Sequence, residues 1–234
     1  MVTSNVQDAR IGRFVTPLGP DKLVLSRFNG SEGLNELFEF RVEALAKIMP
    51  GSSALDIDFA AIIGRNCTLT VQTIDNRQRH IDGICVEMAW SGVRHDNYVY
   101  ELVLKPWLYL MSFRTDCFIF HEMTAPEIIA KVFGRHGFAN HASKLTRSYP
   151  KLEYCVQYRE SDMNFVRRLM EQHGINFYFQ HQEGEHKLVL CDDYSSYEKI
   201  PGGQRPFIPY ELQHRRNTEH FHSWYPERRF TSGR

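Results

Sequence analysis

The chain opens in alternation. Leu23 and Leu25 share one side of Lys22-Leu23-Val24-Leu25-Ser26-Arg27-Phe28, and over residues 37–44 Phe38, Phe40 and Val42 stand against Glu39, Arg41 and Glu43. A period of two sends successive side chains to opposite faces, so each run predicts a half-buried strand. Gly30-Ser31-Glu32-Gly33 predicts the turn between them. Further strands are predicted over residues 67–74, over 84–90 with Val86, Met88 and Trp90 on one face, and over 98–104. Polar turns at 75–78 and 92–97 separate them. Asp58 as N-cap and Gly64 as stop predict a short helix within 56–64. Strands at this spacing imply a barrel or sandwich.

The period changes from residue 111. Thr124-Ala125-Pro126-Glu127 has the capping-box pattern, and Ile128, Ile129, Val132 and Phe133 fall on one helical face, with Gly137 as the expected stop. A second helix starts at Ser161 or Asp162, buries Phe165, Val166, Leu169 and Met170, leaves Arg167, Arg168 and Glu171 wet, and ends at Gly174. A strand over 152–158 lies between the helices. Residues 175–180 and 187–191 alternate around Glu183-Gly184-Glu185 and predict a hairpin. The order helix, strand, helix, hairpin is that of an α+β unit.

Composition narrows the function. Lys+Arg and Asp+Glu are 28 each, so the net charge is zero, and hydrophobic residues make up 42%. That is ordinary globular usage and excludes a disordered chain. It also argues against a dedicated nucleic-acid binder, which carries a basic excess. The last stretch is locally basic: Arg205, Arg215, Arg216, Arg228, Arg229 and Arg234 outnumber Glu211, Glu219 and Glu227. Aromatic residues at 13% favour strands. No apolar run is long enough for a membrane-spanning helix, and the first thirteen residues lack the apolar core of a signal peptide. Cys67, Cys85, Cys117, Cys155 and Cys191 are scattered and odd in number, which reads as free thiols in a reducing compartment.

Candidate chemistry is thin. His121-Glu122 begins like the zinc motif HExxH, but Ala125 stands where the second histidine is required, which reads instead as a strand end leading into a capped helix. His220 and His222 share one side of an extended segment with His214 upstream, an exposed polar face that could hold a metal adventitiously. The carboxylate pairs Asp56/Asp58 and Asp192/Asp193 sit at predicted element ends, where helix capping is the simpler account. GxSxG, GxxxxGK[ST] and GxGxxG are absent. Arg215, Arg216, Phe221, Trp224, Tyr225, Arg228, Arg229 and Phe230 interleave cations with aromatics, a pattern better suited here to a protein interface than to nucleic acid. No catalytic, cofactor-binding or metal residue is assigned.

One stretch carries a family resemblance: residues 153–179, Glu-Tyr-Cys-Val-Gln-Tyr-Arg-Glu-Ser-Asp-Met-Asn-Phe-Val-Arg-Arg-Leu-Met-Glu-Gln-His-Gly-Ile-Asn-Phe-Tyr-Phe. It closely resembles VgrG proteins, the spike of the bacterial type VI secretion system. Leu34-Asn35-Glu36-Leu37-Phe38-Glu39-Phe40, Asp96-Asn97-Tyr98-Val99-Tyr100-Glu101-Leu102 and Pro106-Trp107-Leu108-Tyr109-Leu110 are similar to the same family, and the similarity runs from about residue 11 to the end. The resemblance implies a mixed β and α+β fold like that of phage baseplate hubs, in which a β-barrel tube domain (residues 1–110) is interrupted by an α+β insertion (111–200) and an extended return (201–234) leads back to the barrel. A second barrel, an OB-like domain and a needle are expected to lie beyond Arg234. It further implies a structural spike or hub with no enzymatic activity and no cofactor. Its partners would be a homotrimer in the full-length form, the hexameric Hcp tube, baseplate proteins, and the PAAR tip and effectors through the parts that follow, with no nucleic acid and no membrane insertion. Such a protein is cytoplasmic before assembly and then leaves through the secretion apparatus. The competing readings are a phage tail hub or late-control protein and, more remotely, an uncharacterised hydrolase.

Overall fold

The structure, a computed structural model, describes residues 7, 10–19, 21–73, 77–197, 203–208, 220–221 and 223–227. The alternating runs of the first hundred residues form one antiparallel sheet. Its strands are β1 (Gly12–Val15), β2 (Val24–Ser31), β3 (Glu39–Lys47), β4 (Asn66–Gln72), β5 (Gln78–Arg94) and β6 (Asn97–Lys105), in the spatial order β1-β4-β5-β6-β3-β2. The inward positions supply one core, with Phe14, Phe38, Phe40, Leu69, Tyr100 and Leu102 among its largest members. Register shifts between Leu25 and Arg27 in β2, and at two places in β5, insert extra residues. Such bulges bend and coil a sheet.

The sheet curls far enough for its edge strands to approach, and one buried side chain closes the seam. Gln7 Nε2 donates to the carbonyls of Phe14 (3.1 Å) and Leu23 (3.2 Å). Its Oε1 accepts from the amides of Phe14 (2.9 Å) and Leu25 (3.1 Å). The carboxamide therefore takes the place of a peptide group between β1 and β2, satisfying edge groups that would otherwise be orphaned.

The second half is built from α1 (Trp107–Leu110), β7 (Thr115–Thr124), α2 (Ala125–Phe133), β8 (His141–Lys144), β9 (Lys151–Ser161), α3 (Asp162–His173), β10 (Asn176–Gln182) and β11 (Glu185–Cys191). β7 and β9 form a two-stranded antiparallel ribbon, and β10, β11 and β8 form a sheet in which β11 and β8 run parallel. The predicted capping box starts α2: Glu127 accepts from the Thr124 amide at 2.7 Å, and the Thr124 hydroxyl accepts from the Glu127 amide. Ser161 caps α3 through the Asn164 amide. Gly174 ends it at φ +63°, with the Arg147 guanidinium so close that an added Cβ would sit 3.1 Å from it. Ile128, Ile129, Val132 and Phe133 of α2 meet Phe165, Val166, Leu169 and Met170 of α3 over Trp107 and Phe120 in a second core.

Four local expectations are corrected. In place of a helix within 56–64 there is one turn of 3₁₀ helix, Ala54–Asp56, capped by Ser53, while Asp58 accepts from the Ala60 amide. The chain that follows is already committed to β5, since Gly64 donates to the Cys85 carbonyl and Cys85 donates to that of Arg65. The turn expected at 30–33 lies further on, because β2 continues through Ser31. Gly30 is needed inside the strand, where a side chain would collide with the Phe40 ring. Similarly, β5 continues through Arg94 across the turn expected at 92–97. α2 stops at Phe133 and Gly134 rather than at Gly137, as Arg135 and His136 donate back to Val132 and Phe133 in tighter turns. Within the expected return, Phe207 and Phe221 form a parallel bridge. Among the described residues no helix is long and apolar enough to cross a membrane.

Candidate functional site

The most elaborate polar cluster lies where the barrel meets the α+β half. Asp82 of β5 is fully buried. Its Oδ1 accepts from Asn66 Nδ2 at 2.6 Å and from His186 Nδ1 at 2.8 Å, and its Oδ2 accepts from the Thr68 hydroxyl at 2.9 Å. The Trp107 amide donates to His186 Nε2 at 2.8 Å. A backbone amide can only donate, so the ring hydrogen resides on Nδ1 and points at Asp82. The Asp82 amide donates to His181 Nδ1, and His181 Nε2 lies 3.3 Å from Glu32, which also pairs with Arg79. The His181 bond, with Arg79 assisting, holds the Glu32 carboxyl below its ordinary range despite burial. Phe38 closes the apolar side, with ring centroids 5.1 Å from Phe179, 4.9 Å from His181 and 5.4 Å from His186. Asn35 completes the junction by bonding Asn176 and exchanging two hydrogen bonds with the Phe177 backbone.

This arrangement holds two units together and offers little to a substrate. Both ring nitrogens of His186 and both oxygens of Asp82 are engaged, and the pair is buried. A second imidazole–carboxylate pair, His136 and Asp162 at 2.8 Å, is likewise committed: Gln157 donates to the other Asp162 oxygen. Neither pair has a serine, threonine or cysteine placed as a nucleophile would be. Among the described residues no three His, Cys, Asp or Glu side chains are grouped to hold a metal ion.

The residues singled out by sequence are scattered. His121 lies on the ribbon, and Glu122 follows it in a left-handed backbone turn (φ +49°), so the two do not share a helix face. Asp56 and Asp58 serve the 3₁₀ turn and the bend after it. Asp193 caps another such turn, Tyr194–Ser196. The Asp192 side chain is buried; burial opposes its charge, yet the amides of Arg147 and Thr146 and the Tyr149 and Thr146 hydroxyls hold it well below the carboxylate range. It clamps the loop after β8. His220, Phe221, Trp224 and Tyr225 are described, the last three exposed. His214, His222, Arg215, Arg216, Arg228, Arg229, Arg234 and Phe230 lie outside the described residues, as do residues 75 and 76 of the 75–78 turn. Cys67, Cys85 and Cys191 are buried and Cys117 is exposed.

Sequence reasoning missed the Asp82–His186–His181 lock. Asp82 stands 99 and 104 positions from the two histidines, too far for any local spacing to connect them. One signal was present: His181 and His186 face each other across the hairpin, at positions where its alternation calls for apolar residues.

The outer barrel face carries a further buried acid. Glu43 of β3 accepts a two-pronged bond from Arg94 (2.7 and 2.9 Å), pairs with Arg27 at 3.0 Å and accepts from Ser26. The Arg94 bond, against burial, brings its carboxyl down to about 2.

A curled barrel pinned through its rim to a helical inset is the architecture of a tail hub. The chain belongs to the phage tail baseplate hub (GPD) family, whose profile matches residues 31–234. Within that family it is similar to type VI secretion spikes. It is 35% identical over 228 residues to the spike protein VgrG1b of Pseudomonas aeruginosa and 36% identical over 228 residues to VgrG1c of the same organism. Each alignment takes in 97% of this chain and 30% of the relative, so the chain spans about a third of their length. Among solved structures, the E. coli c3393 protein, described as a component of the type VI secretion system similar to T4 tail proteins gp27 and gp5, matches with a TM-score of 0.67 at 24% identity. That match covers 81% of this chain and 50% of the other. A tail protein of Neisseria meningitidis matches with a TM-score of 0.54 at 13% identity, over 80% and 50%. These likenesses concern the fold.

Proposed function

We propose that the chain is the hub portion of a VgrG-type spike that seats on the Hcp tube and helps carry effectors into target cells. The observation that carries this reading is similarity to VgrG spikes along 97% of the chain. The fold fits a mechanical task. A sheet that curls until its edges are bridged leaves few open strand edges, and a buried polar lock transmits force between two cores without a polarised pocket. In this reading residues 1–110 are the tube domain, 111–200 the insertion and 201–234 the return. The full-length spike is a homotrimer that meets baseplate proteins, and its later parts carry the PAAR tip and effectors. It does no chemistry of its own, and it is cytoplasmic until it leaves through the apparatus. The family profile also favours a second reading, a phage tail hub.

The test is capture of purified Hcp hexamers by this chain and by a version extended through the second barrel. Capture by the extended form, stronger than by the chain alone, supports the spike reading. Capture by neither, with both folded, removes it.

A further inference from the structure

A cavity of about 600 Å³ opens at the rim where the barrel meets the α+β half. Arg77 and Arg79 line it at the start of β5, Glu32 at the end of β2, Phe179 and His181 on β10, and Arg205 from the chain beyond β11. Among the described residues that line it, Glu32 is the one carboxylate, against three guanidinium groups. Glu32 shows how this rim takes an anion. Arg79 pairs with it, and His181 Nε2 lies 3.3 Å from it. The Asp82 amide donates to Nδ1 of that ring, so the ring hydrogen is on Nε2, facing the carboxylate. One carboxylate leaves the cavity with a cationic excess, which favours a second anion.

One wall is an unfinished strand edge. β10 is the outermost strand of its sheet. Along an antiparallel strand, the main-chain groups of successive residues point to opposite sides. Those of Phe177 point outward, since its amide donates to Asn35 Oδ1 and its carbonyl accepts from the Asn35 amide. Phe179 has the same phase. Its cross-strand neighbour Leu188 donates away from it, to the Asn140 carbonyl. The Phe179 amide and carbonyl therefore point to the edge, and no described residue bonds either of them. Asn35 covers β10 at Phe177 and Asp82 meets it at the His181 ring, which leaves Phe179 between them on the cavity wall.

We propose that this cavity binds an extended acidic segment of a partner protein. The segment's backbone runs along β10 and exchanges hydrogen bonds with Phe179, while its carboxylates reach Arg77 and Arg205. The bare edge decides between anions. It presents a donor and an acceptor side by side, and a peptide backbone answers both. A phosphate or nucleic-acid chain offers its phosphate oxygens as acceptors alone and leaves the carbonyl unmet. The volume agrees with ligand sites, which span about 300–1,000 Å³. The site does not depend on the spike reading; the Hcp capture above can fail without affecting it.

Fluorescence anisotropy of a labelled, N-acetylated peptide alternating glutamate and valine tests the site. Binding to the chain is expected, weakening as salt is raised. Arg77→Glu and Arg205→Glu each raise the dissociation constant at least ~tenfold. Methylating the backbone nitrogens of the peptide costs at least ~tenfold as well, because main-chain bonds supply the affinity in strand addition. Amide exchange at Phe179 slows in the complex, while that at Leu188 is unchanged. Arg167→Glu, on the exposed face of α3, leaves binding intact. Should Arg205→Glu fail to fold, Arg77→Glu, at an exposed side chain, carries the charge test alone. No binding by the folded chain, equal binding of a lysine–valine peptide, indifference to the arginine substitutions or to methylation, unchanged exchange at Phe179, or displacement of the peptide by single-stranded DNA at equal concentration overturns the proposal.

Discussion

Single side chains close this fold at places where backbone pairing does not reach. Gln7 uses all four of its hydrogen-bonding positions on the strand seam. Gln7→Ala orphans groups on both strands and is expected to cost roughly 3 kcal/mol in urea unfolding, with faster amide exchange at Phe14 and Leu25. A loss below about 0.5 kcal/mol would mean that water replaces the carboxamide without penalty. Glu43 makes a prediction in pH. Its carboxyl is brought from 4.5 down to about 2 in the folded chain, so the native state binds fewer protons than the unfolded state through that interval. Its contribution is complete above about pH 4.5 and is lost as pH falls toward 2. Glu43→Gln should flatten the acid limb of stability in that window and leave the slope above pH 5 unchanged (about that value, by linkage). An unaltered acid limb would place the acid sensitivity in other carboxylates.

At the scale of elements, α3 is the keystone of the second core. Leu169 is fully buried in this core, and Leu169→Ala is expected to cost about 2–5 kcal/mol, read from thermal or denaturant unfolding. A variant within ~1 kcal/mol of the parent would show that the site collapses around the missing atoms. α3 was also the element most legible in the sequence, since a cap, an apolar stripe and a left-handed glycine all agree over twelve residues. The strands of the barrel were legible for a related reason: one face is buried and the other wet. The extent of β7 was not, and only its final residues were suspected. Its outer side carries Cys117 and Ile119, so no polar phase alternates with the apolar one. β8, four residues paired in parallel with β11, has no pattern of its own. The polar lock was illegible because its register is set by the tertiary meeting of two sheets, which local spacing does not encode.

For the whole molecule, the question is whether two cores behave as one. Ile84 of the barrel strand β5 packs into the second core, and Phe179 touches both. Asp82→Ala would leave the His186 ring N–H, the Asn66 amide and the Thr68 hydroxyl without their shared acceptor. Calorimetry of the parent is expected to give one transition, and that of Asp82→Ala two, with the α+β half and the barrel melting apart. A single sharp transition in the variant would show that the apolar contacts around Phe38 suffice to couple the halves.

The position of Phe38 also bears on the order of events during synthesis. All six described strands of the barrel have been synthesised once Lys105 is translated, yet the rings that shield Phe38 belong to Phe179, His181 and His186. A ribosome adding about 5–20 residues per second leaves this aromatic rim bare for several seconds, longer than a small domain needs to collapse. The nascent barrel therefore waits with a sticky mouth, and chaperones that scan emerging chains for exposed aromatics should find it there before the hairpin arrives to shut it.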